Sequence, residues 1–259
     1  MTEPQPNSAF AWTQASWGRV LTCTPLQNVA RHLFTIANLE LRDRREEWDA
    51  LAAEMDVAPD AIRLIRQVHG AEVAVARRGA TGRWDPPEAD AIVSNDPSVA
   101  IAVRVADCAP ILLADRRLGV VAAVHAGWRG TVKRVGPTGV EALRREFGSD
   151  PDDLVAAIGP CLGQCCGEVG EEVVEAFRAA DHADANVRRW FAAGASGRPY
   201  LDLPKANRDQ LTASGIPESQ IFDAGLCTRS YPSDFHSYRA AGAKAGRMAA
   251  VIRSADAKR

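Results

Sequence analysis

The chain has 259 residues, 46% of them hydrophobic and 25% charged, with a formal net charge of −2. That size and balance fit one large α/β domain, or two small ones, around a sizeable core, and exclude a disordered chain. The near-neutral charge and the scattered arginines exclude a field that draws the protein to nucleic acid or anionic lipid.

At the N-terminus, Met1–Asn7 has neither a basic region nor an apolar run, and no stretch of the chain is apolar for long enough to span a bilayer. A cytoplasmic protein is expected, with no membrane partner. Gly18–Thr22 and His32–Thr35 are strand-like. Trp48, Leu51, Ala52 and Met55 recur at helical spacing and predict a helix over Arg44–Val57. Short β segments follow at Ile62–Val68, Glu72–Ala76, Ala91–Ser94, Ala100–Val105 and Ile111–Ala114. They are punctuated by Gly82, Asp85-Pro86-Pro87 and Asp96-Pro97. Gly119–His125 is a near-continuous apolar run, as in a strand buried on both faces.

A helix starting near Thr131 puts Val132, Val135, Val140, Leu143 and Phe147 on its inner side, with Gly136-Pro137 as a kink or break. Leu154–Ile158 reads as a buried strand ending in Gly159-Pro160-Cys161. Helices are expected over Glu171–Ala180 and Leu203–Ala213, an exposed loop at Gly194–Gly197, and a mixed helix or strand over Ala240–Ile252. The imperfect alternation predicts a single α/β domain over the whole chain. Its core is a mixed β-sheet flanked by helices, with a metal site at strand ends.

Six cysteines are too few for a disulfide scaffold of this length and read as thiols, and five histidines bound the metal chemistry. Three segments share one design, a hydrophobic strand running into a small-residue turn with a metal-capable side chain. They are Arg66-Gln67-Val68-His69-Gly70, Val105-Ala106-Asp107-Cys108-Ala109-Pro110 and Val124-His125-Ala126-Gly127-Trp128-Arg129-Gly130. Two imidazoles and a thiolate suit Zn²⁺, and three protein ligands leave a fourth position open, as in catalytic sites. Each residue reads equally well as an ordinary core cysteine or hydrogen-bonded histidine. Cys108 also reads as a nucleophile activated by His125 when no metal is bound.

These segments resemble the signatures of the bacterial laccase-domain family, whose members have been called polyphenol oxidases, purine nucleoside phosphorylases with adenosine deaminase activity, and peptidoglycan editing factors. The resemblance rests on Gln67-Val68-His69-Gly70, Ala106-Asp107-Cys108 and His125-Ala126-Gly127-Trp128-Arg129-Gly130-Thr131. It continues in Ile158-Gly159-Pro160-Cys161, Glu168-Val169-Gly170, Ser237-Tyr238-Arg239 and Gly246-Arg247-Met248-Ala249. It implies that His69, Cys108 and His125 hold zinc and carry catalysis. The implied reaction is phosphorolysis of purine nucleosides (adenosine, inosine or methylthioadenosine) with deamination of adenosine. An editing amidase for cell-wall precursors needs the same open site. A copper oxidase with a trinuclear cluster is a poorer match, because it needs roughly ten histidines.

The chain departs from the family near its N-terminus. Phe34-Thr35 continues as Ile36-Ala37-Asn38-Leu39, lacking the usual arginine and glycine-rich loop, which predicts weak phosphate binding.

Arg129 follows His125 at a glycine-flanked turn and is a candidate for a phosphate or carboxylate, or a structural arginine bonded to loop carbonyls. Asp107 reads as a group behind the ligands rather than a base, since neighbouring strand residues face opposite ways. Glu168, on a glycine-rich loop, is a rival acid or base and a candidate substrate contact. Cys161, Cys165 and Cys166, set among glycines, are expected to form a tight loop lining the pocket, with Cys161 touching substrate, rather than a second metal site or a disulfide.

Overall fold

The computed structural model describes residues 3–42, 44–194 and 197–255. In chain order its strands are β1 (Phe10–Ala15), β2 (Gly18–Cys23), β3 (Arg31–Phe34), β4 (Ile62–Arg63), β5 (Val73–Ala76), β6 (Ala91–Ser94) and β7 (Ala100–Val105). They continue as β8 (Ala109–Asp115), β9 (Val121–Ala126), β10 (Leu154–Ile158), β11 (Phe191–Ala193), β12 (Pro199–Leu201), β13 (Ile221–Asp223) and β14 (Met248–Arg253). Ala91–Ser94, Ala100–Val105, Leu154–Ile158 and the helix Leu203–Ala213 match the sequence expectation residue for residue.

The β-structure is mixed, as expected, and is divided between two six-stranded sheets and a small hairpin. One sheet has the order β1-β2-β3-β14-β7-β4, the other β13-β10-β8-β9-β6-β5. Alternation along the strands builds three apolar layers. Ile101 and Val103 of β7, Leu112 and Ala114 of β8, Val121 and Ala123 of β9, and Ala250 and Ile252 of β14 share one core between the sheets. The alternate residues Ile111, Leu113, Ala122 and Val124 pack outward on Val140, Leu143, Phe177 and Leu211 from the helices Val135–Phe147, Glu171–Ala179 and Leu203–Ala213. Ala100, Ala102 and Val251 pack outward on Leu51 and Met55 beside the helix Arg45–Glu54. The fold is therefore a single α/β domain with mixed sheets flanked by helices. No described helix is long and apolar enough to cross a membrane.

The differences from expectation are local. The run Ile62–Val68 keeps only two strand residues, because the backbone leaves the β7 ladder after Arg63, bridges Glu88 at Arg66 alone and turns at His69, whose φ is +58°. The helix expected from Thr131 starts at Trp128 and breaks at Arg134 (φ +59°), so Gly136 and Pro137 fall in the first turn of the next helix, where proline is tolerated. The C-terminal stretch splits into a short helix, Tyr238–Ala241, and β14. In the loop Gly194–Gly197, residues 195 and 196 lie outside the described residues.

His32 in β3 is 4% exposed, accepts the Cys23 N–H at 2.9 Å on Nε2 and lies 3.2 Å from the Ala30 carbonyl on Nδ1. Burial lowers its pKa from 6.5 to about 4, outweighing the Ala30 bond. Above pH 6.5 the ring is neutral folded and unfolded. Below that the unfolded chain takes up a proton the folded one refuses, so stability falls as the pH drops from 6.5 through 4, by up to about 3 kcal/mol. Urea melts across this window are expected to show a shallower loss for His32→Gln than for the parent chain. Parallel slopes would contradict the assignment.

Candidate metal centre and its arginine-lined cavity

His125 lies in β9 on the face that Val121 and Ala123 present to the inter-sheet core, at the end where that core opens. Cys108 lies on the crossover by which the chain leaves β7 in one sheet and enters β8 in the other. Asp107 braces that crossover with φ at +85°. Its carboxylate accepts Thr228 Oγ1–H at 2.6 Å and the Arg239 N–H at 2.5 Å, while its carbonyl accepts the Leu162 N–H. Asp107 thus ties the crossover to Thr228 and Arg239, and it also lines the cavity.

His69 is set by Asp90, which the sequence did not single out. Asp90 is fully buried. Its Oδ1 accepts the His69 N–H at 3.0 Å, and its Oδ2 accepts the Gly70 and Val68 N–H groups at 2.6 and 3.2 Å. The same Oδ1 lies 2.7 Å from His125 Nδ1. One carboxylate thereby orients both histidines, the arrangement expected behind a metal-ligating imidazole. Gly127 completes the site by having no side chain. A Cβ there would lie 2.8 Å from Cys108 Sγ and 3.2 Å from His69 Cδ2.

Cys108 Sγ lies 3.9 Å from His69 Nε2, and one ligand atom from each of His69, Cys108 and His125 lies within 4.8 Å of the others. Ligand bonds of about 2.0–2.3 Å close such a triangle on one ion. The charges agree. Burial raises the Cys108 pKa, but His125 and His69 outweigh it and bring the thiol down to about 6. Burial likewise opposes the charged form of His125, yet Cys108 and Asp90 lift it to about 9. Without a metal the pair is a thiolate beside an imidazolium. An ion takes the place of that proton, and the donor set fits one. A third ligand, His69, converging on the same sulfur favours this over a cysteine nucleophile.

Above the ligands lies a cavity of about 860 Å³ lined by Arg42, Arg66, Arg104, Arg129, Arg239 and Arg247. Arg247 Nη1 donates to the Ala245 and Gly246 carbonyls at 2.7 and 2.9 Å, and Arg42 Nη2 to the Ala243 carbonyl at 2.7 Å. Gln67 brackets the backbone of Arg104 through both its amide atoms. Burial, then the neighbouring charges of Arg42 and Arg104, lower the Arg247 pKa, as in a cluster of guanidinium groups with too little counter-charge. The arginine missing after Thr35 therefore does not leave the cavity without cations. Arg129 sits 4.2 Å over the Trp128 ring.

Two expectations are corrected. Cys161 is only 3% exposed, pairs with Cys227 in a β-bridge and does not line the cavity, whose wall there is Leu162. Glu168 lies between the wall residues Gly167 and Val169, but its carboxylate meets Tyr200 Oη at 3.0 Å and Arg198 at 3.6 Å. The other three histidines serve the fold, since His182 and His236 each lie within hydrogen-bond distance of a backbone carbonyl, as His32 does.

A family model described as multi-copper polyphenol oxidoreductase laccase matches residues 37–255. The chain is similar to a purine nucleoside phosphorylase of Deinococcus radiodurans, 40% identical over 83% of this chain and 82% of that one. It is also similar to adenosine deaminase RL5 of an unknown prokaryotic organism, 40% identical over 76% of each chain. Among solved structures, YlmD from Geobacillus stearothermophilus superposes with a TM-score of 0.80 at 28% identity, covering 95% of this chain and 99% of that one.

Proposed function

The chain belongs to the family described as multi-copper polyphenol oxidoreductase laccase, and from that premise we propose a zinc-dependent purine nucleoside phosphorylase that also deaminates adenosine. The observation that carries this reading is the three-ligand cluster at the floor of an arginine-walled cavity. The description as a copper oxidase does not suit this chain, because three of its five histidines are committed to the backbone. Free thiols at every described cysteine suit a reducing cytoplasm.

His69, Cys108 and His125 would hold the ion, with Asp90 accepting the His125 Nδ1 proton and leaving Nε2 as the donor. When bound, zinc supplies Lewis acidity and brings the pKa of water to near 7. The remaining chemistry is positioning. Trp128 and the exposed Tyr238 offer rings to a purine at the cavity wall. Arg42, Arg104, Arg129 and Arg247, all lining the cavity, offer guanidinium forks to phosphate, the nucleophile that displaces the base. Deamination needs water in place of phosphate and no anion site.

The two activities therefore separate by mutation. Arg104, whose guanidinium has no carboxylate partner among the described residues, can be removed without orphaning an acid. Arg104→Ala is expected to raise KM for phosphate by about 10- to 100-fold, the worth of one charge-assisted hydrogen bond, while conversion of adenosine to inosine stays close to the parent rate. Chromatography of adenosine incubated with zinc-loaded protein, with and without phosphate, reads both. No adenine, hypoxanthine or inosine above a His125→Ala background would turn the reading to an amidase acting on cell-wall precursors.

A further inference from the structure

We propose that Cys165, Cys166 and Cys227 form a second metal site, built for a thiophilic d¹⁰ cation, Zn²⁺ or Cu⁺, on the outer side of the loop that walls the cavity. Cys165 and Cys166 lie in the single 3₁₀ turn Gln164–Cys166, and Cys227 comes from the segment that pairs with Cys161. Their three sulfurs lie within 4.8 Å of one another, and the Cys165 and Cys166 sulfurs are 3.8 Å apart. Three thiolates around one ion, at bonds of about 2.3 Å, have sulfur–sulfur edges of roughly 3.8–4.0 Å. One edge is already in place.

The surroundings fit this use. Ser230 Oγ is 3.6 Å from Cys165 Sγ and 3.7 Å from Cys166 Sγ, so an oxygen stands beside two of the three sulfurs. Gly163 and Ser230 direct backbone N–H groups at the Cys227 sulfur. A Cβ at Gly163 would press to 3.2 Å from Cys227 Cβ, so glycine permits the approach of the two segments. Cys165 is exposed, which lets an ion enter from solvent without opening the core. An all-sulfur set selects soft ions over magnesium or calcium. The ion replaces the thiol protons, and no oxidant or reductant is involved.

This cluster shares no ligand with His69, Cys108 and His125. It is tied to the cavity from behind, because Arg239 Nη1 donates to the Cys166 carbonyl at 3.2 Å and Gly167 lines the cavity. An ion joining Cys165 and Cys166 to Cys227 clamps that wall to the neighbouring segment.

Metal content of the full chain tests the site separately from the first one. His125→Ala, dialysed against zinc under reducing conditions, is expected to keep about one equivalent per chain, and His125→Ala/Cys165→Ser none. Cys165 is exposed, so this variant guards against a misfolded Cys227→Ser. A second arm titrates Cu⁺ anaerobically against a chromogenic chelator and reads which ion binds more tightly. Uptake of either ion that depends on Cys165 and Cys227, with protection of those thiols from alkylation, supports the proposal. Uptake unchanged by both substitutions, uptake of neither ion, or a reductant-reversible disulfide among these cysteines in place of a bound ion overturns it.

Discussion

His125→Ala is expected to lower zinc content by about one equivalent and to remove phosphorolysis and deamination together, each by about a thousandfold or more. That factor corresponds to the several kcal/mol a Lewis-acid site supplies. Two features make this a test of chemistry rather than of folding. The backbone of His125 stays in β9 between β8 and β6 whatever its side chain. The buried Asp90 loses one partner yet keeps the N–H groups of Val68, His69 and Gly70. A circular dichroism spectrum close to the parent's is therefore expected beside the lost metal. Phosphorolysis that survives while deamination disappears would mean that the ion serves only one of the two reactions.

The second large effect is expected at Asp90. In Asp90→Asn one of the two carboxylate oxygens becomes an NH₂ group. Whichever side it takes, it meets donors only. One side holds the His69 N–H and the His125 ring N–H, and the other the N–H groups of Gly70 and Val68. Each buried donor left without an acceptor costs about 1–3 kcal/mol. The turn at His69 loosens and the His125 ring loses its orientation, so zinc affinity is expected to fall by about 10- to 100-fold. Competition with a chelator of known affinity measures this. The melting temperature should fall by about 2–4 °C for each kcal/mol lost. An Asp90→Asn variant that binds zinc as tightly as the parent would show that the carboxylate only supports the backbone.

The three candidate ligands were legible because each stands in a repeated context, an apolar strand meeting small residues, and because the surrounding blocks resemble a family. Asp90 was not legible. It sits in Ala89-Asp90-Ala91 without a motif, and only its place at the head of a fully buried strand hints that an acid there must satisfy several donors at once. The arginine cluster escaped for another reason. Arg42, Arg104 and Arg247 come from three distant segments, and guanidinium groups show their purpose only once the fold gathers them. Cys227 likewise reads as a lone thiol until its segment pairs with Cys161. The division into two sheets could not be read from periodicity. A strand buried on both faces, such as β7, β9 or β14, has the same pattern whether its second neighbour is a helix or another sheet.

The clamp on the turn at His69 also bears on which ion the first centre retains. A floppy set of two imidazoles and a thiolate ranks divalent ions by intrinsic affinity, and copper outcompetes zinc. Here the backbone turn Val68–Gly70 is fixed by three N–H bonds to one carboxylate, and a Cβ at Gly127 would lie 2.8 Å from the Cys108 sulfur. An ion that demands a square-planar set would have to draw on a ligand whose backbone those bonds hold. An ion without geometric preference takes the ligands where they stand. On the proposed function, discrimination against the stronger competitor would reside in backbone amides that do not touch the metal.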